Sequence, residues 1–364
     1  MSKSKLCLVG GFLGSGKTTA IVEAAKYLSH TKKKVGVITN DQGTHQVDSL
    51  FMKSHNISTE EVSGGCFCCN YNDLEKGIHT LIANNNPDII FAESVGSCTD
   101  LAATVINPLL SFNADKYEIV LSVFADARLL IQFLKNEKDI FYDNVNYIYE
   151  KQLEEADIIV VNKIDLLNEE QLALTKKLIS AEYAGKIIHY QNSLSGESIK
   201  EWLQQVNDNF NNTSLRSTLE IDYDIYGAGE AQLAWLDEEI GIATKDKNAI
   251  AAGYILINKI YAKIAQHGYP IGHLKFLMDD GKEQWKISFS SIAVDPNAAT
   301  TNHIETDRII ILINARVQVS PALLKQIIAD AIIETEVSAS CKIIENNLSA
   351  FKPGYPKPTH RITV

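Results

Sequence analysis

The sequence predicts an α/β protein, a doubly wound and mostly parallel sheet, followed by a smaller C-terminal α+β domain. Two observations carry this. Short apolar runs alternate with longer helical stretches through roughly the first 200 residues, the alternation that builds a parallel sheet with helices on both faces. The first run also leads straight into a glycine-rich loop and a helix.

The runs are residues 6–9, 35–39, 89–92, 119–125, 158–161 and 187–190, each apolar nearly throughout, as a strand covered on both faces should be. Ligands of such sheets bind beyond the carboxyl ends of the strands. Asn40-Asp41, Glu93, Asp126 and Asn162-Lys163 fall there. A boundary is expected near 207–217, where the polar, Asn-rich stretch 207–214 reads as a linker, and it divides the chain into 1–210 and 211–364. Beyond it, 218–226 and 230–242 read as two strands joined at Gly227-Ala228-Gly229. Ile250, Tyr254, Ile257, Tyr261 and Ile264 share a helix face. Strands follow at 274–279, 284–294 and 309–315, and Ser320-Pro321 opens a second helix with a cap and a proline at its first position. The Pro-rich tail 351–358 must be extended.

The net charge of −11 argues against a nucleic-acid partner, whose phosphates select a basic face. The Lys32-Lys33-Lys34 run reads as a solvated turn. No apolar run is long enough to span a membrane and no signal peptide fits ahead of the first strand, so no membrane partner and a cytoplasmic location are expected.

Gly11-Phe12-Leu13-Gly14-Ser15-Gly16-Lys17-Thr18 matches G-x-x-x-x-G-K-[ST] between a strand and a helix, the context the phosphate loop requires. Gly11, Gly14 and Gly16 let backbone N–H groups turn toward phosphate oxygens around Ser15, and the helix N-terminus adds its dipole. Lys17 is expected on the β- and γ-phosphates, the Thr18 hydroxyl on Mg²⁺, and Thr19 near the α-phosphate. Asn162-Lys163-Ile164-Asp165 at the end of a buried strand is a guanine-reading motif. The Asp165 carboxylate can accept from guanine N1–H and N2–H₂, whereas adenine would leave it unpaired. Lys163 would lie against the base, Asn162 would brace the motif, and Ser193 sits in a second base-contacting loop, Asn192-Ser193-Leu194-Ser195-Gly196. The chain therefore reads as a GTPase. Asp41 and Glu93 are the candidate carboxylates for holding Mg²⁺ or orienting the attacking water, and Gly96 lets the backbone approach the γ-phosphate.

Cys66, Cys68 and Cys69 follow Ser63-Gly64-Gly65, and three thiols within four residues can converge on a soft metal ion such as Zn²⁺. A closed zinc site wants about four protein ligands. A purely structural zinc and reduced core cysteines are the alternatives. His45 and Asp48 are candidate extra ligands. Cys98 follows the Glu93 motif near the site, whereas Cys7 and Cys341 read as core or incidental.

Taken together, Gly10 to Thr19, the Gly-Gly-Cys-x-Cys-Cys loop at 64–69, Glu93-Ser94-Val95-Gly96 and Asn162-Lys163-Ile164-Asp165 make the sequence resemble the CobW-like metallochaperone GTPases, relatives of UreG and HypB. The resemblance implies GTP hydrolysis with Mg²⁺, a metal (Zn²⁺ or Co²⁺) at the cysteine loop, delivery to a client metalloprotein, and a nucleotide-dependent homodimer. Two departures stand out. Asn40-Asp41-Gln42-Gly43 replaces the family's Asn-Glu-Phe-Gly, and the chain's nine histidines form no tract. The competing expectations are a GTPase that reactivates or assembles a cofactor-dependent (for instance corrinoid) enzyme, with only structural metal, and a metal sensor or buffer.

Overall fold

The computed structural model describes residues 3–41, 47–55, 57–113, 116–135, 140–210, 214–290 and 305–364. They form two compact units, each discontinuous in sequence: 1–42 with 55–229 and 355–364, and 43–54 with 230–354. The sequence reading placed one boundary at 210/211. Instead the chain crosses over early, for one helix, and its last residues belong to the first unit.

In the first unit, β1 (Ser4–Gly11), β2 (Val35–Asp41), β3 (Ser58–Ser63), β4 (Ile89–Glu93), β5 (Tyr117–Asp126), β6 (Ile158–Asn162) and β7 (Ile187–Gln191) make a seven-stranded sheet ordered β3-β2-β4-β1-β5-β6-β7. Every pairing is parallel, so the expected doubly wound sheet is present. β4 and β6 are buried at every residue, as their unbroken apolar runs require. The chain steps from β1 to β2 on one side and later from β4 to β5 across β1. The strand order thus reverses beside β1, which opens a crevice at its carboxyl end. β3 has an alternating, mostly polar sequence and escaped the search for apolar runs.

In the second unit, β8 (Ala234–Ala243), β9 (Ile271–Asp279), β10 (Gln284–Phe289), β11 (Arg308–Val317) and β12 (Lys342–Phe351) form an antiparallel sheet ordered β10-β9-β11-β8-β12. Helices Ala249–Gln266 and Pro321–Ser338 pack on it through Ile257, Ile260 and Ile328 against Leu236, Phe276 and Ile313. Ser320 caps the second of these helices by accepting from Leu323 N, as the Ser-Pro pair predicts. The expected strand 284–294 is described as far as Phe289, and its residues 291–294 lie outside the described residues. Helix Val47–Ser54, inserted from between β2 and β3, belongs to this unit: Val47 clusters with Leu277 and Leu312.

A second expectation is corrected. Residues 218–226 are not a strand and the strand expected at 230–242 starts only at Ala234, because Tyr223–Gln232 is a helix that takes in Gly227 and Gly229. Asp222 Oδ1 accepts from Asp224 N at 2.9 Å and Ile225 N at 3.1 Å, and so starts the helix despite its β-favouring tyrosines. Among the described residues no helix is long and apolar enough to cross a membrane.

Candidate functional site

The loop between β1 and helix Lys17–His30 has the backbone that only its glycines allow. Gly11 has φ +120°, and a Cβ there would lie 2.2 Å from Phe124 O. Gly16 has φ +94°, and a Cβ would meet Asn162 Nδ2 at 2.4 Å. The loop turns back on itself so that Lys17 Nζ donates to Gly11 O at 2.7 Å and Phe12 O at 3.2 Å. The buried Ser15 Oγ has no hydrogen-bond partner among the described residues. A buried ammonium resting on carbonyls, an orphaned hydroxyl and a helix N-terminus with half-buried Thr19 in its first turn together suit an anionic phosphate chain. Thr18 Oγ1 donates to Glu93 Oε1 at 2.8 Å, and both residues are buried.

Asn162, at the end of β6, joins three segments. Its Nδ2 donates to Ser15 O at 2.8 Å, while its Oδ1 accepts from Ser193 Oγ at 2.8 Å and Ser193 N at 3.2 Å. Lys163, at φ 63°, sends Nζ to Gly14 O at 2.6 Å and to Asp126 Oδ2 at 2.9 Å. Asp165 follows in a single exposed turn. Burial alone would raise the Asp126 carboxyl, but Arg128 and Lys163 outweigh it and hold the group below its ordinary value. Asp126 also caps helix Ala127–Leu134. The sequence placed Asp126 in the crevice without a role and gave no signal for Arg128. The phosphate loop, the guanine motif and Ser193 are thus one hydrogen-bonded assembly.

The segment after Glu93 is fixed as firmly. Ser94 N donates to Val9 O at 3.0 Å, and Gln152 Nε2 donates to both Gly96 O (3.1 Å) and Cys98 O (2.8 Å). A Cβ on Gly96 would lie 2.6 Å from Leu13 Cδ2 and 3.0 Å from Leu13 Cα, so this segment packs on the phosphate loop with no room for a larger residue.

The cysteine loop begins one residue past β3, whose last residue, Ser63, is paired in register with Asp41 of β2. Asn40 braces it: Nδ2 donates to Gly65 O at 2.7 Å and Val62 O at 3.0 Å, and Oδ1 accepts from Phe67 N at 2.9 Å. The Sγ atoms of Cys66, Cys68 and Cys69 lie within 4.8 Å of one another, separated by 2.7, 3.4 and 3.8 Å. Thiolates on zinc at about 2.3 Å stand roughly 3.8 Å apart in a tetrahedron, so the three can share an ion once the Cys66–Cys68 edge opens. Hydrogen bonds from Cys68, Cys69 and Cys98 hold the Cys66 thiol well below its ordinary value and outweigh its burial. The same coupling to Cys66 raises Cys68 well above the usual range and pushes Cys69 up to about 11. Three converging thiols of this kind could hold a soft metal ion, and would release protons on loading it.

The chain's last residues complete this loop, which no sequence signal foretold. Thr359 N donates to Cys68 O at 2.8 Å and Thr359 Oγ1 to Cys69 O at 2.7 Å, while His360 packs edge-on against Tyr71 and Phe112. Asp48 is corrected as a ligand candidate. It lies in the second unit, where its two oxygens accept from Lys275 Nζ (2.5 Å) and Lys286 Nζ (2.6 Å), which keep its carboxyl well below the usual range against its burial. His45 lies outside the described residues. Cys7 is buried on β1 beside Ser122, and Cys341 is in the second unit.

The family model described as CobW/HypB/UreG, nucleotide-binding domain, matches residues 5–188. The zinc chaperone YeiR of Escherichia coli (strain K12) is 32% identical over 165 residues, covering 43% of this chain and 46% of that one. The zinc chaperone CobW of Sinorhizobium sp is 28% identical over 200 residues, covering 49% and 56%. The chain spans about half the length of the curated relatives it matches. HypB from Helicobacter pylori, solved in complex with nickel, aligns at 16% identity with a TM-score of 0.42, covering 57% of this chain and 90% of that one.

Proposed function

Because the chain belongs to the CobW/HypB/UreG nucleotide-binding family, we propose that it is a GTP-hydrolysing metallochaperone that loads a transition metal on Cys66, Cys68 and Cys69 and delivers it to a client metalloprotein. The observation that carries this reading is the convergence of three sulfurs on one point, in the same compact unit as the phosphate loop. Zinc is the first choice of cargo and cobalt the second. A cytoplasmic site of action and a nucleotide-dependent homodimer go with this reading.

The contacts of each residue support these roles. Lys17 exchanges the carbonyls of Gly11 and Phe12 for the β- and γ-phosphates, with the N–H groups of Gly14, Ser15, Gly16, Thr18 and Thr19 around them. Asp165 accepts from the guanine edge, Lys163 covers the base, and Asn162 and Ser193 lock the two loops together. Mg²⁺, when bound, neutralises charge on the phosphate oxygens; Thr18 and Glu93 are the residues that would hold it, with Asp41 at the neighbouring strand end. In this reading Glu93 would also orient the attacking water, and the backbone N–H of Gly96 would approach the γ-phosphate. Asp41 follows Asn40, the brace of the cysteine loop, so a change at the phosphates reaches the sulfurs through adjacent residues.

The test is a titration of Zn²⁺ and Co²⁺ into the reduced apoprotein, first with GDP·Mg²⁺ and then with a non-hydrolysable GTP analogue. Co²⁺–thiolate charge-transfer absorption that appears at different metal concentrations in the two states supports delivery. The same affinity in both states, or none, leaves a GTPase assembly or reactivation factor with only structural metal.

A further inference from the structure

The cysteine loop must move to take up an ion. The Sγ atoms of Cys66 and Cys68 stand 2.7 Å apart. Thiolates sharing a tetrahedral zinc stand roughly 3.8 Å apart, so this edge has to open by roughly 1 Å. Cys66 is the less free of the two. Its carbonyl accepts from Cys69 N at 3.0 Å and Asn70 N at 2.9 Å, and its neighbours Gly65 and Phe67 are bonded to Asn40. The movement therefore falls on Cys68 and Cys69, whose carbonyls accept from Thr359 N (2.8 Å) and Thr359 Oγ1 (2.7 Å).

Thr359 is one end of a short bridge, all of it within the first compact unit. One residue on, His360 packs edge-on against Tyr71, two residues past Cys69, and against Phe112. Arg361 Nε then donates to Asp100 Oδ2 at 2.7 Å, and Ile362 N donates to Ala103 O at 2.8 Å. Asp100 is buried and sits at φ 63°, a strained place for a residue with a side chain, held by Arg361 and by Tyr223 OH at 2.7 Å on the same oxygen. Asp100 and Ala103 belong to the segment that runs on from Glu93 and Gly96 and packs on Leu13 of the phosphate loop. On the other side of Thr359, Pro356 and Pro358 restrict the backbone, and Tyr355 OH donates to Asp224 Oδ1 at 3.0 Å. Thr359 and Arg361 are themselves exposed, so the bridge can shift without opening the core.

We propose that residues 359–362 are a strap that couples the cysteine loop to the segment following Glu93, with Thr359 and Arg361 as its positioning residues. Drawn tight, the strap holds Cys68 and Cys69 at the narrow spacing. Metal uptake pulls it from the cysteine end, and a shift of the segment beside the phosphate loop pulls it from the Asp100 end. The two pulls act on one element and are reciprocal, so whatever slackens the strap eases loading. The metal's part in this deepens the metallochaperone reading and rests on it.

The experiment reads the freedom of the loop thiols. The reduced, metal-free full chain is pulse-alkylated with iodoacetamide, and each cysteine is followed by mass spectrometry. Thr359→Val keeps the shape and removes the donor to Cys69 O, so Cys68 and Cys69 should react about 5-fold faster, the size of one lost hydrogen bond. Thr359→Ser keeps the hydroxyl and should return the rate to within about twofold of wild type. Arg361→Gln cuts the strap at Asp100, away from the loop, and should speed the same thiols by at least about twofold. Cys7, fully buried on β1 of the same unit, should stay unreacted throughout, which separates a loosened loop from an unfolded unit. In the wild type, hydrogen exchange of the 355–364 peptide should quicken when one equivalent of Zn²⁺ is added. Equal alkylation rates in Thr359→Val, Thr359→Ser and wild type would overturn the strap. So would an Arg361→Gln rate equal to wild type, which would reduce Thr359 to a local contact. Exchange unchanged by zinc in a chain that binds it would overturn it whatever the variants do. Those outcomes leave the metallochaperone reading standing. A wild type that takes up no thiolate-bound Co²⁺ removes that reading, while the alkylation rates, which need no metal, still decide whether the strap holds the loop.

Discussion

Thr18 Oγ1 and Glu93 Oε1 are 2.8 Å apart although 75 residues separate them in sequence, and their hydrogen bond ties the phosphate loop to the end of β4. It brings a hydroxyl and a carboxylate, the usual pair for a hard divalent ion beside phosphates, to one buried point. Glu93→Gln keeps an oxygen to accept from Thr18 and removes the charge. GTP turnover should then fall about 100-fold or more, the usual size of a lost acid–base or water-orienting group, while GDP affinity shifts far less. Single-turnover hydrolysis and a fluorescent-GDP titration separate the two, and unchanged turnover would remove Glu93 from the mechanism.

Asp165 offers a sharper test, because in the proposed reading its acceptor oxygens are what distinguish guanine from other bases. Asp165→Asn replaces one acceptor by an N–H donor, which faces a carbonyl in xanthine and a donor in guanine. GTP affinity should drop at least roughly 100-fold and XTP affinity should rise above it. Competition of both nucleotides against the same labelled GDP measures this. A variant that still preferred GTP would place the base elsewhere.

The glycine-rich loop and the Asn162-Lys163-Ile164-Asp165 segment were legible in the sequence because each sets fixed residue types beside a strand end. Gly16 is glycine because Asn162 Nδ2 occupies the space of its Cβ, so two motifs far apart in the chain constrain each other. The rest was hidden for equally physical reasons. Thr359 meets Cys69 across 290 residues and Asp48 meets Lys275 across 227, through ordinary polar side chains that form no pattern. Tyr223 and Tyr226 favour strands in isolation, yet Asp222 caps a helix there. Gly229 reads as a turn, but it is the residue that lets this helix pass Asn144 O, which a Cβ would meet at 2.4 Å.

Glu155 sets a pH dependence. Its carboxyl accepts from Thr99 Oγ1 and from Ala102 N, each at 3.2 Å, just past the Cys98 segment. Burial pushes it from an ordinary 4.5 up to about 8, with the nearby Asp100 adding to the rise and those hydrogen bonds opposing it. Below the ordinary value both the folded and the unfolded chain carry the proton. Between the two values only the folded chain does, so stability falls as pH rises through that window and levels off above about 8. Glu155→Gln removes the ionisation and keeps the shape. Its melting temperature should fall less than the wild type's between about pH 5 and 8. Some slope remains, because Glu238 in the second unit is pushed up to about 8 by its burial and by Glu345. Parallel pH profiles for wild type and variant would show that Glu155 does not titrate in this way.

The second unit carries a fully buried ion pair, and its removal has a predictable sign. Arg316 Nη1 donates to Asp237 Oδ1 at 2.8 Å with both side chains inaccessible, and the guanidinium lies 3.8 Å over the Trp235 ring. Asn314 Nδ2 adds a bond to the same carboxylate, and His273 joins through Asn314 Oδ1. The pair itself adds little net stability, because desolvating two charges offsets their attraction, but breaking it strands a charge. Asp237→Ala should therefore lower the stability of this unit by about 3–5 kcal/mol. Asp237→Asn should lose less, since it still offers Asn314 an acceptor. Combining Asp237→Asn with Arg316→Met should recover part of the loss, because no buried charge then remains. Urea unfolding followed by the fluorescence of Trp235 and Trp285, with Trp202 of the first unit replaced by phenylalanine, reads all three. A double variant less stable than the sum of its singles would mean that the pair holds the sheet for reasons other than mutual neutralisation.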